Sequence, residues 1–344
     1  MTNRSNGSIK PYPLRLGMKM PPEVKVTPLA YESLGVRGMC TLIETKDVGI
    51  LADAGVAMGP RFQLMPHPVE YKARAKARER IEAAAGTAKV TTISHYHNDH
   101  HTPNFEDPVW LGSTPENAER IYRNKIILAK DYRSKINVAQ RRRGWLFKQS
   151  VEEIANEVEV ADGQTYTYGR TTVQFFHPVP HGESNSELGW VIPCSIESKG
   201  EKVLYAPDVQ GPVVEETVQL ILNEKPDILI IGGPPTYLQG FKIGDDFINA
   251  ARHNMKRIAE KIEVFVVDHH LLRDPMWSEF LDPIREVAAK AGNKVITAAD
   301  LLGERPAPLE GERKKLYESE VPSKDFMKWA KLPKEKQKIV PPPL

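Results

Sequence analysis

Cysteine is nearly absent from this chain of 344 residues: only Cys40 and Cys194 occur, far apart and in no metal or redox motif. That excludes a disulfide-stapled secreted scaffold and favours a reducing compartment, so a cytoplasmic setting is expected. An excess of either charge is lacking too. With 47 Lys and Arg against 45 Asp and Glu, the net charge is +2, short of the basic footprint that long polyanions require. No apolar run approaches the roughly 20 residues of a membrane-spanning helix, so no membrane partner is expected. Arg4 and Lys10 near the start are not followed by the apolar core of a signal peptide.

What the chain does have is metal-binding chemistry in one place. The β-branched run 90–93 reads as a buried strand and ends directly in Ser94-His95-Tyr96-His97-Asn98-Asp99-His100-His101. Neutral imidazoles and carboxylates are the donors that borderline cations favour, zinc first, with manganese, iron or cobalt also accommodated. Residues two apart on an extended segment share a face, so His95 and His97 are placed to grip one ion. Asp99 and His100 then point toward a second.

The pattern His-x-His-x-Asp-His resembles the signature of the metallo-β-lactamase superfamily, and His95 to His100 match it in full. The resemblance implies an α/β fold, a four-layer αββα sandwich, over residues 25–303. It also implies the remaining site. Asp53, at the end of a strand and before Ala54-Gly55, matches the carboxylate that orients a ligating His. His181 matches the third metal motif, with His177 in the same strand-end loop as its alternative. Asp208, after a short strand, matches the carboxylate bridging the two ions. His269, after the strand 264–267, matches the last ligand, with His270 beside it. Residues 27–37 and 267–274 also resemble an archaeal family of uncharacterised predicted hydrolases within the superfamily.

Around this core the sequence reads as an amino-terminal arm (1–24), a helical, basic insert (about 102–150) and a Pro- and Lys-rich tail (304–344). The tail is expected to pack on the body or on a second copy of the chain, which would make a homo-oligomer. Two strands are expected at 36–43 and 48–51, and a basic helix with a solvated face at about 69–85. The insert carries Arg141, Arg142 and Arg143 beside Trp145, a run suited to phosphate. His67 in the Pro-rich loop 56–68, and Tyr237 after Gly232-Gly233-Pro234-Pro235, are further candidates for substrate contact.

The implied activity is a dinuclear metal-dependent hydrolase with two divalent ions and a metal-bridging hydroxide as nucleophile. Asp99 is placed at the reaction centre, and His270, or else Glu183, as proton donor. A small phosphoester, above all a phosphodiester, is the favoured substrate, because two cations and the arginine run suit an anionic transition state. A lactonase or thioesterase is the main rival, a nuclease acting on nucleic acid another, and a di-iron oxidoreductase the non-hydrolytic one.

Overall fold

The computed structural model describes residues 22–344 except Asn185; most of the expected amino-terminal arm thus lies outside the described residues. Among these residues, six strands form the first sheet in chain order: Lys25–Tyr31 (β1), Met39–Glu44 (β2), Gly49–Ala52 (β3), Val90–Ile93 (β4), Ile126–Ala129 (β5) and Glu157–Val160 (β6). Strands β1 to β3 are antiparallel and β3 to β6 parallel. The chain continues through Thr165–Tyr168 (β7), Thr171–Phe175 (β8), the short ribbon Val179–Pro180 (β9) with Trp190–Val191 (β10), Cys194–Ser198 (β11), Glu201–Ala206 (β12), Ile228–Gly232 (β13), Val264–Asp268 (β14) and Lys294–Ile296 (β15). The second sheet has the order β15-β14-β13-β12-β11-β8-β7, with β12 to β15 parallel.

Alternation along the strands sorts the core into layers. In β13, Ile228 and Ile230 join the apolar cluster between the sheets, while Leu229 and Ile231 join the cluster on the outer face. Val264 and Val266 of β14 face inward, and Phe265 and Val267 outward. A strand buried on both faces reads as a near-continuous apolar run, as residues 228–231 and 264–267 do. The outer cluster of the second sheet is covered by the helices Glu215–Glu224, Asp245–Ala259 and Trp277–Lys290. On the first sheet, Leu42, Leu51, Ile93 and Ile127 pack beneath the helices Pro68–Thr87, Pro115–Tyr122 and Val138–Val151. Helix, sheet, sheet, helix is the expected αββα sandwich of the metallo-β-lactamase fold. Truncating a central side chain such as Ile230 to Ala should cost about 2–5 kcal/mol.

Several local expectations need correction. Residues 25–31 form a strand although Pro28 argues against one. β1 is an edge strand with a register shift between Pro28 and Ala30, which is where a sheet tolerates a residue without an N–H. The body begins before residue 25, since Val24 is buried and the Glu23 and Val24 amides donate to Glu201 at 2.6 and 3.1 Å. The segment 102–150 is no helical insert, because β5 within it is an interior strand of the first sheet. Nor is the basic helix Pro68–Thr87 solvated all round. Arg74 donates to the Pro108 and Val109 carbonyls, and Arg78 to Thr102 Oγ1 and Leu111 O. Burial pushes both guanidinium groups down to about 10.

The tail packs on the body. Phe326 and Trp329 are buried with Met58, Tyr71 and Val109, and Arg313 pairs twice with the buried Glu70 at 2.7 Å. Among the described residues, no helix is long and apolar enough to cross a membrane.

Candidate metal centre

The site collects at strand ends, the location at which an open sheet presents loops to a ligand. Asp53 follows β3, His95 lies two past β4, His181 follows β9, Asp208 lies two past β12, and His269 directly follows β14. Asp53, Asp208 and His269 adopt positive φ angles of 48°, 54° and 62°. Left-handed backbone is costly for residues with a Cβ, and here it turns each side chain off its strand toward the common centre. Gly55 is required for a different reason. A Cβ there would lie 2.4 Å from the His101 amide nitrogen and 2.5 Å from that of His100, so the metal-binding loop crosses directly over it.

Asp208 is the hub. Its Oδ2 lies 3.2 Å from His95 Nε2, 3.0 Å from His181 Nε2, 3.1 Å from His100 Nε2 and 3.9 Å from His97 Nδ1. The other oxygen, Oδ1, lies 2.9 Å from His269 Nε2 and 3.5 Å from His270 Nε2. Asp99 Oδ2 completes the second side, 3.8 Å from His269 Nε2. Among the described residues four donor sets result: His95, His97, His181 and Asp208; Asp53, His95 and His100; Asp99, His100 and His269; and Asp208, His269 and His270. His177 stands apart with its ring against Gly163, and His181 takes the place for which both were candidates.

The residues suit divalent cations. Buried polar atoms normally find partners, yet His100 Nε2, Asp208 Oδ1, His269 Nε2 and both His270 nitrogens are buried without a hydrogen bond, all in one cluster. Charge is unbalanced in the same way. Burial opposes ionisation of Asp99 and Asp208, but neighbouring imidazolium groups hold both carboxyls well below their usual range. Burial and the charge of His100 hold His95 well below the ordinary imidazole value. In His100 burial is outweighed by Asp208 and Asp53, which hold it well above. A set of imidazoles that cannot all be protonated, gathered around carboxylates that stay ionised, is a donor set for a cation.

Two carboxylates stand behind the ligands. Asp53 Oδ2 lies 2.8 Å from His100 Nδ1 and also accepts from Tyr205 Oη at 3.0 Å, while Oδ1 accepts the Ser94 amide at 2.7 Å. Glu32 does the same for His269, with Oε2 2.9 Å from Nδ1, and its Oε1 takes the Arg273 guanidinium at 2.8 Å. Each turns Nε2 of its histidine toward the centre and raises the basicity of that nitrogen. Gln140 plays a neutral part: Oε1 accepts the Tyr96 amide, and Nε2 lies 3.2 Å from His97 Nε2, so Nδ1 of His97 faces the cluster. Asp268 accepts the amides of Ser33, His269 and Ala298 and holds the turn that presents His269. Burial and Glu32 push its carboxyl up to about 6.

Sequence reasoning missed Glu32, Gln140, Asp268 and Arg273. Three of these did carry a signal, since Glu32 lies in the stretch 27–37 and Asp268 and Arg273 in the stretch 267–274 of the family resemblance.

Other expectations change. His67 does not face the site. It is the buried N-cap of the helix Pro68–Thr87, with Nδ1 accepting the Val69 amide and Nε2 2.7 Å from Glu320 O. Arg141, Arg142 and Arg143 do not form a clamp, because consecutive residues of the helix Val138–Val151 point in different directions. The first two are exposed, and Arg143 alone reaches back, to the Tyr96 carbonyl at 3.4 Å. Glu183 is exposed on the loop after His181 and belongs to none of the donor sets. Burial and the charges of Arg273 and His269 hold His270 well below its usual range. Tyr237 lies in the turn Thr236–Leu238, half-buried beneath the guanidinium of Arg61.

No protein-family model matches the chain. Solved structures similar to it include the metallo-β-lactamase fold protein YhfI from Bacillus subtilis, 14% identical with a TM-score of 0.43, covering 80% of this chain and 95% of that one. Yeast PDE1 is 12% identical with a TM-score of 0.46, over 80% of this chain and 97% of that one. Relatives by sequence are nearer. The UPF0282 protein of Methanopyrus kandleri is 40% identical over 294 residues, 85% of this chain and 99% of its own length. That of Pyrococcus horikoshii is 39% identical over 317 residues, 90% of this chain and all of its own. An identity of 39–40% over 85–90% of this chain and nearly the whole of each relative makes this chain a member of the UPF0282 family.

Proposed function

We propose that the chain is a dinuclear metal-dependent hydrolase of small phosphoesters. The observation that carries the reading is Asp208, whose Oδ2 faces His95, His181 and His100 while its Oδ1 faces His269 and His270, so that one carboxylate touches imidazoles assigned to both cations. His95, His97 and His181 would hold one cation, Asp99, His100 and His269 the other, and Asp208 would serve both. When bound, such a pair lowers the pKa of a shared water and polarises the oxygen of the ester or phosphoryl group. The protein's own part is orientation. Asp53 and Glu32 hold the outer nitrogens of His100 and His269, Gln140 fixes the ring of His97, and His270 adds a neutral donor beside His269. Zinc fits the nitrogen-rich set best, with manganese, iron or cobalt as alternatives.

The test pairs metal analysis with turnover of bis-p-nitrophenyl phosphate and a simple lactone, in wild type and Asp99→Ala. The expected result is about two metals per chain, as in two-metal hydrolytic sites, and phosphodiester turnover that a chelator or the substitution abolishes. Turnover of the lactone alone would move the assignment to carboxylic esters. Tightly held redox-active iron without either activity would overturn hydrolysis altogether.

A further inference from the structure

Three guanidinium groups gather on the Asp99 side of the centre, and two of them are matched. Arg37 pairs with the buried Glu310 through Nε and Nη2, at 2.6 and 2.7 Å. Arg273 pairs with Glu32 and lies 3.5 Å from Asp99 Oδ2. Arg61 is the third, and among the described residues it has no carboxylate partner. Its Nη2 donates to the Arg273 carbonyl at 3.1 Å, while its Nε is buried with no partner at all. The side chain is nonetheless held in place: the guanidinium carbon lies 4.0 Å from the centre of the Tyr237 ring and 4.8 Å from that of Phe62. A fourth cation, Lys314, stands 4.7 Å over the other ring of the pair, Phe62.

An unmatched, half-buried guanidinium beside two others is an unfavourable arrangement for the empty protein. Burial and the charges of Arg273 and Arg37 lower the Arg61 pKa, and buried donors without acceptors cost free energy. The arrangement becomes favourable once an anion arrives, because a planar fork held by aromatic stacking has lost little freedom left to lose. Burial of the two carboxylates in their own pairs leaves no protein anion to fill the place.

From this geometry we infer that Arg61, stacked on Tyr237, binds a second anionic group of the substrate, a phosphate or carboxylate beyond the one that reacts at the metal centre. The inference rests on the hydrolase reading for the word substrate, and it narrows that reading to doubly anionic compounds such as phosphate monoesters and diesters bearing a further phosphate or carboxylate. Arg61 would thus take over the anion-binding role that the sequence assigned to Arg141, Arg142 and Arg143.

The test is direct binding of inorganic pyrophosphate and inorganic phosphate to the metal-loaded protein by titration calorimetry, for wild type, Arg61→Gln, Arg61→Lys and Arg257→Gln. Arg257 serves as a charge control because it lies at an exposed ion pair with Glu215. Thermal melting checks that each variant is folded. Wild type should prefer pyrophosphate. Arg61→Gln should weaken pyrophosphate about 10- to 100-fold, the range of one charge-assisted hydrogen-bonded pair, and should narrow the preference over phosphate by the same factor. Arg61→Lys should recover part of the loss and Arg257→Gln should resemble wild type. Equal losses for both anions in Arg61→Gln, or an unchanged preference, overturn the inference, as does a wild type that does not distinguish the two. A preference that depends on Arg61, in a protein that hydrolyses no phosphoester, would keep the anion site and remove the proposed reaction.

Discussion

Asp53 and Glu32 do the same work on opposite sides of the metal centre, yet they are built into the molecule differently. Each lies within 3 Å of the outer nitrogen of one ligand, Asp53 at 2.8 Å from His100 and Glu32 at 2.9 Å from His269. Asp53 is otherwise surrounded by neutral donors, the Ser94 amide and hydroxyl and the Tyr205 hydroxyl. Glu32 shares its charge with Arg273, which is buried and also faces Asp99. Neutral donors can be left behind at modest cost, whereas a buried guanidinium cannot. Equivalent contacts with a ligand therefore conceal unequal roles in the fold.

Substitution separates the two roles. Glu32→Gln should cost about 3–5 kcal/mol of stability, because it strips a buried cation of its partner. Asp53→Asn should cost about 1–3 kcal/mol, the range for altering one buried hydrogen-bonded group. Urea unfolding of the metal-free proteins checks this, and equal losses would erase the distinction. Adding Arg273→Met to the Glu32 variant should return much of the stability, since removing a whole buried pair is far less costly than halving it.

Metal affinity should show the two carboxylates as equals. Asp53→Asn and the Glu32→Gln, Arg273→Met double variant should each weaken metal binding about 10- to 100-fold, the usual effect of losing the group behind a ligating histidine. Competition with a chromogenic chelator measures it, and an unaltered affinity in either variant would mean that its carboxylate serves the fold alone.

The smallest effect concerns the pair that flanks this side of the site. Burial opposes the charge of Glu310, but Arg37 outweighs burial and holds its carboxyl below the usual 4.5. A carboxyl with a lowered folded pKa binds fewer protons folded than unfolded, so its contribution is complete above the unfolded value and lost as pH falls through the folded one. Acid titration should accordingly weaken the contact of the segment around Glu310 before the sheets unfold, and Glu310→Gln should flatten that response. Tryptophan fluorescence of Trp329, buried where the tail meets the body, reports it.

How much was legible depended on whether the information was local. The four candidate ligands His95, His97, Asp99 and His100 lie in one loop after an apolar strand, so spacing and residue type were enough to single them out. Individual strands were legible for a similar reason, because residues 228–231 and 264–267 are apolar at every position, while the layered sandwich they build was implied by the family resemblance. β1 was hidden by Pro28, whose effect depends on being at an edge, and β5 by the charged stretch around it. His67 and the arginine run were misread because a free side chain and one engaged elsewhere look identical in sequence.

Residue types and their order along the chain thus determined the apolar strands and the donor-rich loop, and the resemblance those residues carry implied the sandwich and the strand ends that hold the loop's partners. Only the tertiary structure decided which groups stand behind those ligands. Glu32 meets His269 across 237 residues, Gln140 meets His97 across 43, and Arg61 meets Arg273 across 212. Such pairs leave no local periodicity to read; they exist because two sheets bury their apolar faces against each other and bring distant strand ends, with their charges, into one low-dielectric space.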